Sequence, residues 1–299
     1  MQSVQFSEYG GPEVLETHEA PEPHPGPGEV RVVVHAAGVN AYDWKVRAGY
    51  LAEMAPVTFP AIPGLEAAGV VDEVGPGVDG ISLGDPVFGL GSATNAELAV
   101  LKTFAPKPQS LDWATAGGLA TAAETAVRAF GLLGLRSGQT VLIDGAAGGV
   151  GSVAVQIAVA RGATVVATAS QRNHAYLSEL GATPISYGDG LADRVRQAAP
   201  QGVDVVFDVA GKTPITELTG LVAEPSQVLS IANFTAGEAG AQVTGGGEGD
   251  PVAALTEAAD LAERGLLRLE VQTFPLADVA SAHELSQQGH VRGKLVLVL

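Results

Sequence analysis

Cysteine is absent from this 299-residue chain, which excludes a disulfide framework, a thiolate nucleophile and a cysteine-ligated zinc together. Basic residues are scarce. Sixteen Lys and Arg stand against 33 Asp and Glu, and the resulting net charge of −17 argues against nucleic acid or an anionic membrane surface as partner. No apolar run approaches the roughly 18 residues of a membrane span. The first residues, MQSVQFSEYGG, lack a basic region followed by an apolar core, so no signal peptide is expected and the chain reads as cytoplasmic. What the chain does have is a 46% hydrophobic content, enough for one large or two medium cores, with two favoured at this length.

The most informative stretch is QTVLIDGAAGGVGSVAVQIAVARG at 139–162, where an apolar run stops at a glycine-dense turn that opens directly into a helical pattern. Residues 140–143 read as a short buried strand. Val150, Val153, Ala154, Ile157 and Ala158 fall on one helix face, and Gly162 supplies the stop. Gly148 and Gly149 would let the backbone come close to a ligand, and the helix start offers N–H groups and positive dipole to a pyrophosphate. Gly151 would allow close packing of helix on strand. The dinucleotide fingerprint is met at Gly148 and Gly151, whereas Ala146 occupies the place of its first glycine. An ordinary strand-to-helix turn is the bland alternative; a following strand at 163–168, ATVVAT, favours the cofactor cradle.

The end of that second strand bears on which dinucleotide is bound. An acid there would accept hydrogen bonds from the ribose 2′-hydroxyl of NAD, whereas a 2′-phosphate needs a cation. The residues are Thr168, Ala169, Ser170, Gln171 and Arg172, without a carboxylate. A hydroxyl from Ser170 and a forked guanidinium from Arg172 suit phosphate oxygens, so NADPH is expected over NADH. Helix capping by Ser170 and a solvated Arg172 are the alternative.

The texture changes near residue 110. Before it, short β-branched runs at 30–35, 69–74 and 85–88 alternate with turns such as PGPGE, GPGVDG and LGD, the pattern of a compact antiparallel barrel. From residue 114 onward, strands and helices alternate, with strands at 203–209 and 227–231 and a helix at 251–264 closed by Gly265. This implies a parallel sheet covered by helices on both faces. A helix at 276–288, Gly289 and a terminal strand at 294–299 complete the chain. The glycine-rich segment 236–249 reads as a mobile loop or a weak edge strand.

Several segments together carry a resemblance. They are HAAGVNAYDWKVRAG at 35–49, PGLEAAGVVDEVG at 63–75, GDPVFG at 84–89, GAAGGVG, LGAT at 180–183, FPLAD at 274–278 and GHVRGKLVL at 289–297. Through them the chain resembles the zinc-free, zeta-crystallin-like quinone oxidoreductase branch of the medium-chain dehydrogenase/reductase superfamily, nearly end to end. The resemblance implies an α/β fold: a GroES-like β-barrel domain from residues 1–112 completed by a return segment at 266–299, and a Rossmann doubly wound parallel sheet domain at 113–265. It also implies NADPH stretched along a cleft between the two, and a homodimer.

Zinc-dependent relatives place a cysteine and a histidine where this chain has Asn40 and Leu65, so no metal is expected; the remaining His35 and Glu66 cannot form a three-ligand site. His35 reads instead as a strand residue with a satisfied ring. By matching position, the family's cofactor contacts fall on Thr125, Gly148, Gly149, Val150, Ser170, Arg172, Asn173, Tyr187, Gly211, Ile231, Ala232, Asn233, Phe234, Arg292 and Lys294. Asn173 stands where the family often has lysine. Asn40 and Tyr50 are implied at the substrate side, where they would hydrogen-bond a reacting oxygen. Their alternatives are satisfaction of backbone groups for Asn40 and a surface-loop aromatic for Tyr50. Asp43 reads as a partner of Arg47 or Lys45, and Trp44 as packing. Glu124, beside Thr125, is either a solvent-facing helix position or a buried acid next to the cofactor.

The function implied is NADPH-dependent, zinc-independent hydride transfer to a small quinone or α,β-unsaturated carbonyl. An enoyl reductase of a polyketide-type pathway, and a non-enzymatic NADPH-binding sensor or structural protein, are the alternatives.

Overall fold

The computed structural model describes residues 1–299. Its chain divides into two compact units, one of residues 1–121, 255–263 and 269–299, the other of residues 122–254 and 264–268.

The first unit is built on strands β1 (Gln2–Gln5), β2 (Glu16–Glu19), β3 (Val30–Val39), β4 (Glu66–Val74), β5 (Pro86–Ser92) and β6 (Leu98–Pro106). Strands β3 to β6 form an antiparallel meander, and β3 pairs again with β6, which closes these four strands into a barrel. The alternation expected of a half-buried strand puts Val30, Val32 and Val34 inside, against Val71, Val87, Ala99 and Leu101. Helices α1 (Ala41–Arg47) and α2 (Trp113–Gly117) follow β3 and β6, and α3 (Ala120–Leu133) follows α2.

The second unit carries the parallel sheet: β7 (Thr140–Asp144), β8 (Thr164–Thr168), β9 (Thr183–Ile185), β10 (Val205–Asp208), β11 (Val228–Ser230) and β12 (Gln242–Val243). The spatial order β9-β8-β7-β10-β11-β12 reverses direction between β7 and β10, the arrangement of a doubly wound dinucleotide fold. Helices α4 (Gly149–Ala160), α5 (His174–Glu179), α6 (Leu191–Ala198) and α7 (Ile215–Thr219) are its crossovers. Neighbouring strand residues face opposite sides: Leu142, Val166, Val206 and Val228 pack with Leu191, Val195 and Leu218, whereas Phe207 meets Phe130 of α3 edge to face at 5.8 Å. Segment 236–249 contains a short 3-10 turn and the two-residue edge strand β12, so the edge-strand alternative holds there.

After α8 (Pro251–Glu263), strands β13 (Val271–Pro275) and β14 (Lys294–Val298) flank α9 (Val279–Gln288), and β14 pairs antiparallel with β3. Leu295, Leu297, Val279 and Ala282 complete a second apolar layer with Val4, Phe6 and Val39. No helix is long and apolar enough to cross a membrane.

Candidate functional site

In the second unit the positions singled out by sequence collect at the carboxyl ends of the parallel strands. Gly148 and Val150 follow β7, Ser170 and Arg172 follow β8, Tyr187 follows β9, Gly211 follows β10, and Ile231 to Phe234 follow β11. Ligands of open parallel sheets bind at this edge. Gly148 caps α4, whose first N–H groups have no partner within the helix. A Cβ built on Gly148 would find only the Gly145 carbonyl oxygen, 3.9 Å away, so the space in front of the turn is open. The opposite holds at Gly151, where a Cβ would lie 2.5 Å from that oxygen and 2.6 Å from Ala146 Cα. Thus Gly151 seats the helix on the turn, and Gly148 leaves room for a ligand.

Beneath these loops lies a layer of buried polar groups. Thr168 Oγ1 accepts from Gly145 N at 3.0 Å and donates to Asp144 Oδ1, bracing the glycine turn. Asp208 accepts from Ala210 N (3.1 Å), Gly211 N (2.7 Å) and the Ser230 hydroxyl (2.7 Å). Ser230 Oγ in turn accepts from Ala232 N and Asn233 N. Burial pushes the Asp208 carboxyl up, opposed by its hydrogen bonds and reinforced by Asp144. Spacing and motif do not single out Asp144 and Asp208. Their signal is that both apolar runs, TVLID and VVFD, end in Asp.

At the β8 end, Ser170 precedes the 3-10 turn Gln171–Asn173, and its hydroxyl accepts from Asn173 Nδ2 at 3.3 Å. Arg172 is exposed, Asn173 buried, and Tyr187 exposed. Asn233 Oδ1 accepts from Thr235, and Phe234 is exposed. On α3, Thr125 is buried with its hydroxyl 3.4 Å from Glu124 Oε2. Glu124 itself corrects the solvent-facing expectation. Its carboxylate is clamped by Arg128, with Nε at 2.6 Å and Nη2 at 3.2 Å, one turn along the same helix. Arg128, also buried, reaches on to the Thr244 hydroxyl.

In the first unit, Lys294 departs from its expected place among the cofactor contacts: it is buried, and its ammonium is taken up by half-buried Asn40 and by Glu66. Lys294 Nζ donates to Asn40 Oδ1 and to Glu66 Oε1, both at 2.6 Å, and Asn40 Nδ2 donates to Glu66 Oε1 at 2.9 Å. Glu66 Oε2 accepts from Thr121 N at 2.8 Å. Asp43 does not pair with Arg47 or Lys45. It folds back to accept from Asn40 N at 2.7 Å, capping α1 as its third residue, while Arg47 lies buried, bonded to Gly10 O and Gln287 Oε1. Burial, only partly offset by the Asn40 amide and Lys294, pushes the Asp43 carboxyl up to about 7. Tyr50 is 71% exposed, its ring edge-on to Trp44 at 5.8 Å. Arg292 pairs with Glu270 at 2.6 Å. His35 stacks on Trp113 with centroids 4.3 Å apart.

The donor set does not fit a catalytic zinc. No group of three His, Cys, Asp or Glu side chains converges, an amide and a leucine occupy positions 40 and 65, the Glu66 carboxylate is paired with an ammonium, and the Asp43 carboxyl is committed to the Asn40 backbone amide.

Two family models match: the alcohol dehydrogenase GroES-like domain over residues 26–130 and the zinc-binding dehydrogenase model over residues 180–297. The chain is 32% identical over 245 residues to the chloroplast envelope quinone oxidoreductase homolog of Arabidopsis thaliana, covering 77% of this chain and 74% of that one. It is 36% identical over 294 residues to erythronolide synthase EryA2 of Saccharopolyspora erythraea, covering 90% of this chain and 8% of the synthase. Among solved structures, the quinone oxidoreductase of Coxiella burnetii superposes with a TM-score of 0.87 at 30% identity, over 100% of this chain and 99% of that one.

Proposed function

The chain belongs to the medium-chain dehydrogenase/reductase superfamily, in its quinone oxidoreductase branch, and from that premise we propose that it reduces a quinone or an α,β-unsaturated carbonyl with NADPH and without zinc. The observation that carries the reading is the open space in front of Gly148, at the head of a helix whose first amides are unpartnered within it. Those amides bind the diphosphate. Ser170 and Arg172 bind the ribose 2′-phosphate, because no carboxylate ends β8 and a guanidinium matches phosphate geometry. Gly211 and residues 231–234 line the nicotinamide ribose, on loops that Asp208 and Ser230 hold in place. Bound NADPH supplies the hydride; the protein supplies orientation and electrostatics.

On the acceptor, hydride arriving at carbon leaves charge on the carbonyl oxygen. Asn40 keeps one Nδ2 hydrogen after its bond to Glu66, and Tyr50 presents an exposed hydroxyl; both are donors for that oxygen.

A carrier-bound enoyl substrate is the second reading, favoured by the similarity to the erythronolide synthase. Against it, Arg47 is buried, which leaves Lys45 as the basic group of segment 45–60 free to meet a carrier phosphate. The test is consumption of NADPH against 1,4-benzoquinone, 9,10-phenanthrenequinone and simple alkyl enones. At least one is reduced, and chelators leave the rate unchanged. Tight NADPH binding with no turnover on any acceptor would favour a non-enzymatic NADPH-binding protein, and activity lost to chelation would overturn the metal-free reading.

A further inference from the structure

A buried glutamate cannot stand alone, and the way Glu66 is compensated sets the orientation of its neighbours. Glu66 is fully buried, and its charge is met by Lys294, itself buried, from a strand 228 positions later in the chain. Space for the pair is kept by two glycines: a Cβ on Gly38 would lie 2.4 Å from Glu66 Oε1, and one on Gly118 would lie 2.8 Å from Lys294 Cγ.

The same ammonium and carboxylate grip both ends of the Asn40 amide. Its oxygen faces the cation and its nitrogen faces the anion. A flipped amide would set NH2 against ammonium and oxygen against carboxylate, so only one rotamer of the half-buried side chain is electrostatically allowed.

We propose that Lys294 is a positioning residue, an internal cation that fixes the Asn40 amide through the Glu66 pair so that its remaining N–H is held toward the oxygen of the acceptor. The inference rests on the reductase reading above. Lys294 acts through Asn40 and Glu66 without touching the reacting atoms.

The experiment is a double-mutant cycle on the full-length protein, comparing Lys294→Met, Asn40→Ala and the double variant in NADPH-dependent quinone reduction. Because misplaced supporting groups typically cost about 10- to 100-fold, Lys294→Met is expected to lower kcat at least tenfold with the Kd for NADPH unchanged. The double variant is expected to lose no more than Asn40→Ala alone. If Lys294→Met does not fold, Glu66→Gln/Lys294→Met leaves no unpaired buried charge and takes its place in the cycle. Multiplicative losses in the double variant, or an undiminished kcat in the lysine variant, would overturn the inference. Absence of NADPH binding or turnover in the wild-type protein would instead refute the reductase reading itself.

Discussion

Replacing His283 by leucine will change how the stability of the first unit depends on pH. His283 is fully buried on α9, and neither ring nitrogen has a hydrogen-bond partner. Burial, reinforced by the neighbouring Arg47 guanidinium, takes its pKa from 6.5 down to about 3. The folded protein therefore holds the ring neutral, while the unfolded chain protonates it below pH 6.5. Its contribution is intact above 6.5 and is lost as pH falls toward 3, at ~1.4 kcal/mol per pH unit and about 5 kcal/mol in all. Asp43 works in the opposite sense. With a folded pKa of about 7 against an ordinary 3.8, it makes folding less favourable as pH rises from 3.8 to 7. The two slopes largely cancel in the wild-type protein between pH 4 and 6.5. The His283→Leu variant exposes the Asp43 slope. Both tryptophans, Trp44 and Trp113, lie in the same unit as His283, so urea unfolding followed by tryptophan fluorescence reports on that unit. The difference in unfolding free energy between variant and wild type should grow by ~1.4 kcal/mol for each pH unit below 6.5. A difference independent of pH would refute the argument that His283 is held neutral.

Other substitutions separate binding from folding. Gly148→Leu projects into open space and should leave the melting temperature unchanged while abolishing NADPH binding, whereas Gly151→Ala drives a Cβ into the Gly145–Ala146 backbone and should cost about 1–3 kcal/mol of stability, read by thermal unfolding. Arg172→Ala should weaken NADPH about 10- to 150-fold in a fluorescence titration and leave NADH unaffected, since a charged hydrogen bond to phosphate is worth roughly 1.5–3 kcal/mol. Arg128→Met should destabilise the second unit by about 3 kcal/mol through the stranded Glu124, and Glu124→Met/Arg128→Met should restore most of that loss.

Legibility in the sequence follows the range of the interaction. Period and punctuation mark β7, α4 and β8 within a residue, because local patterning decides them. Strand β3 runs four residues beyond the expected 30–35, since Ala36, Ala37 and Gly38 are buried on both faces and break the alternation. The glycines in GLGS likewise hide the second half of β5. Strand β6 carries no clear sequence signal, because Lys102 and Thr103 interrupt its apolar run. Side-chain networks were the least visible. Asn40 and Lys294 bond across 254 positions, and no spacing rule connects them. The i, i+4 rule pairs Asp43 with Arg47, but Asp43 instead caps its own helix start, which satisfies an otherwise orphaned amide, and Arg47 is taken up by Gly10 O and Gln287 Oε1.

The central claim is that the turn after β7 holds the diphosphate of a dinucleotide, and a crystal structure of the protein with NADPH tests it most directly. Diphosphate oxygens within hydrogen-bond distance of the Gly149 and Val150 amides are the predicted result. A coenzyme bound elsewhere, with the space before Gly148 filled by solvent or by the chain itself, would contradict it.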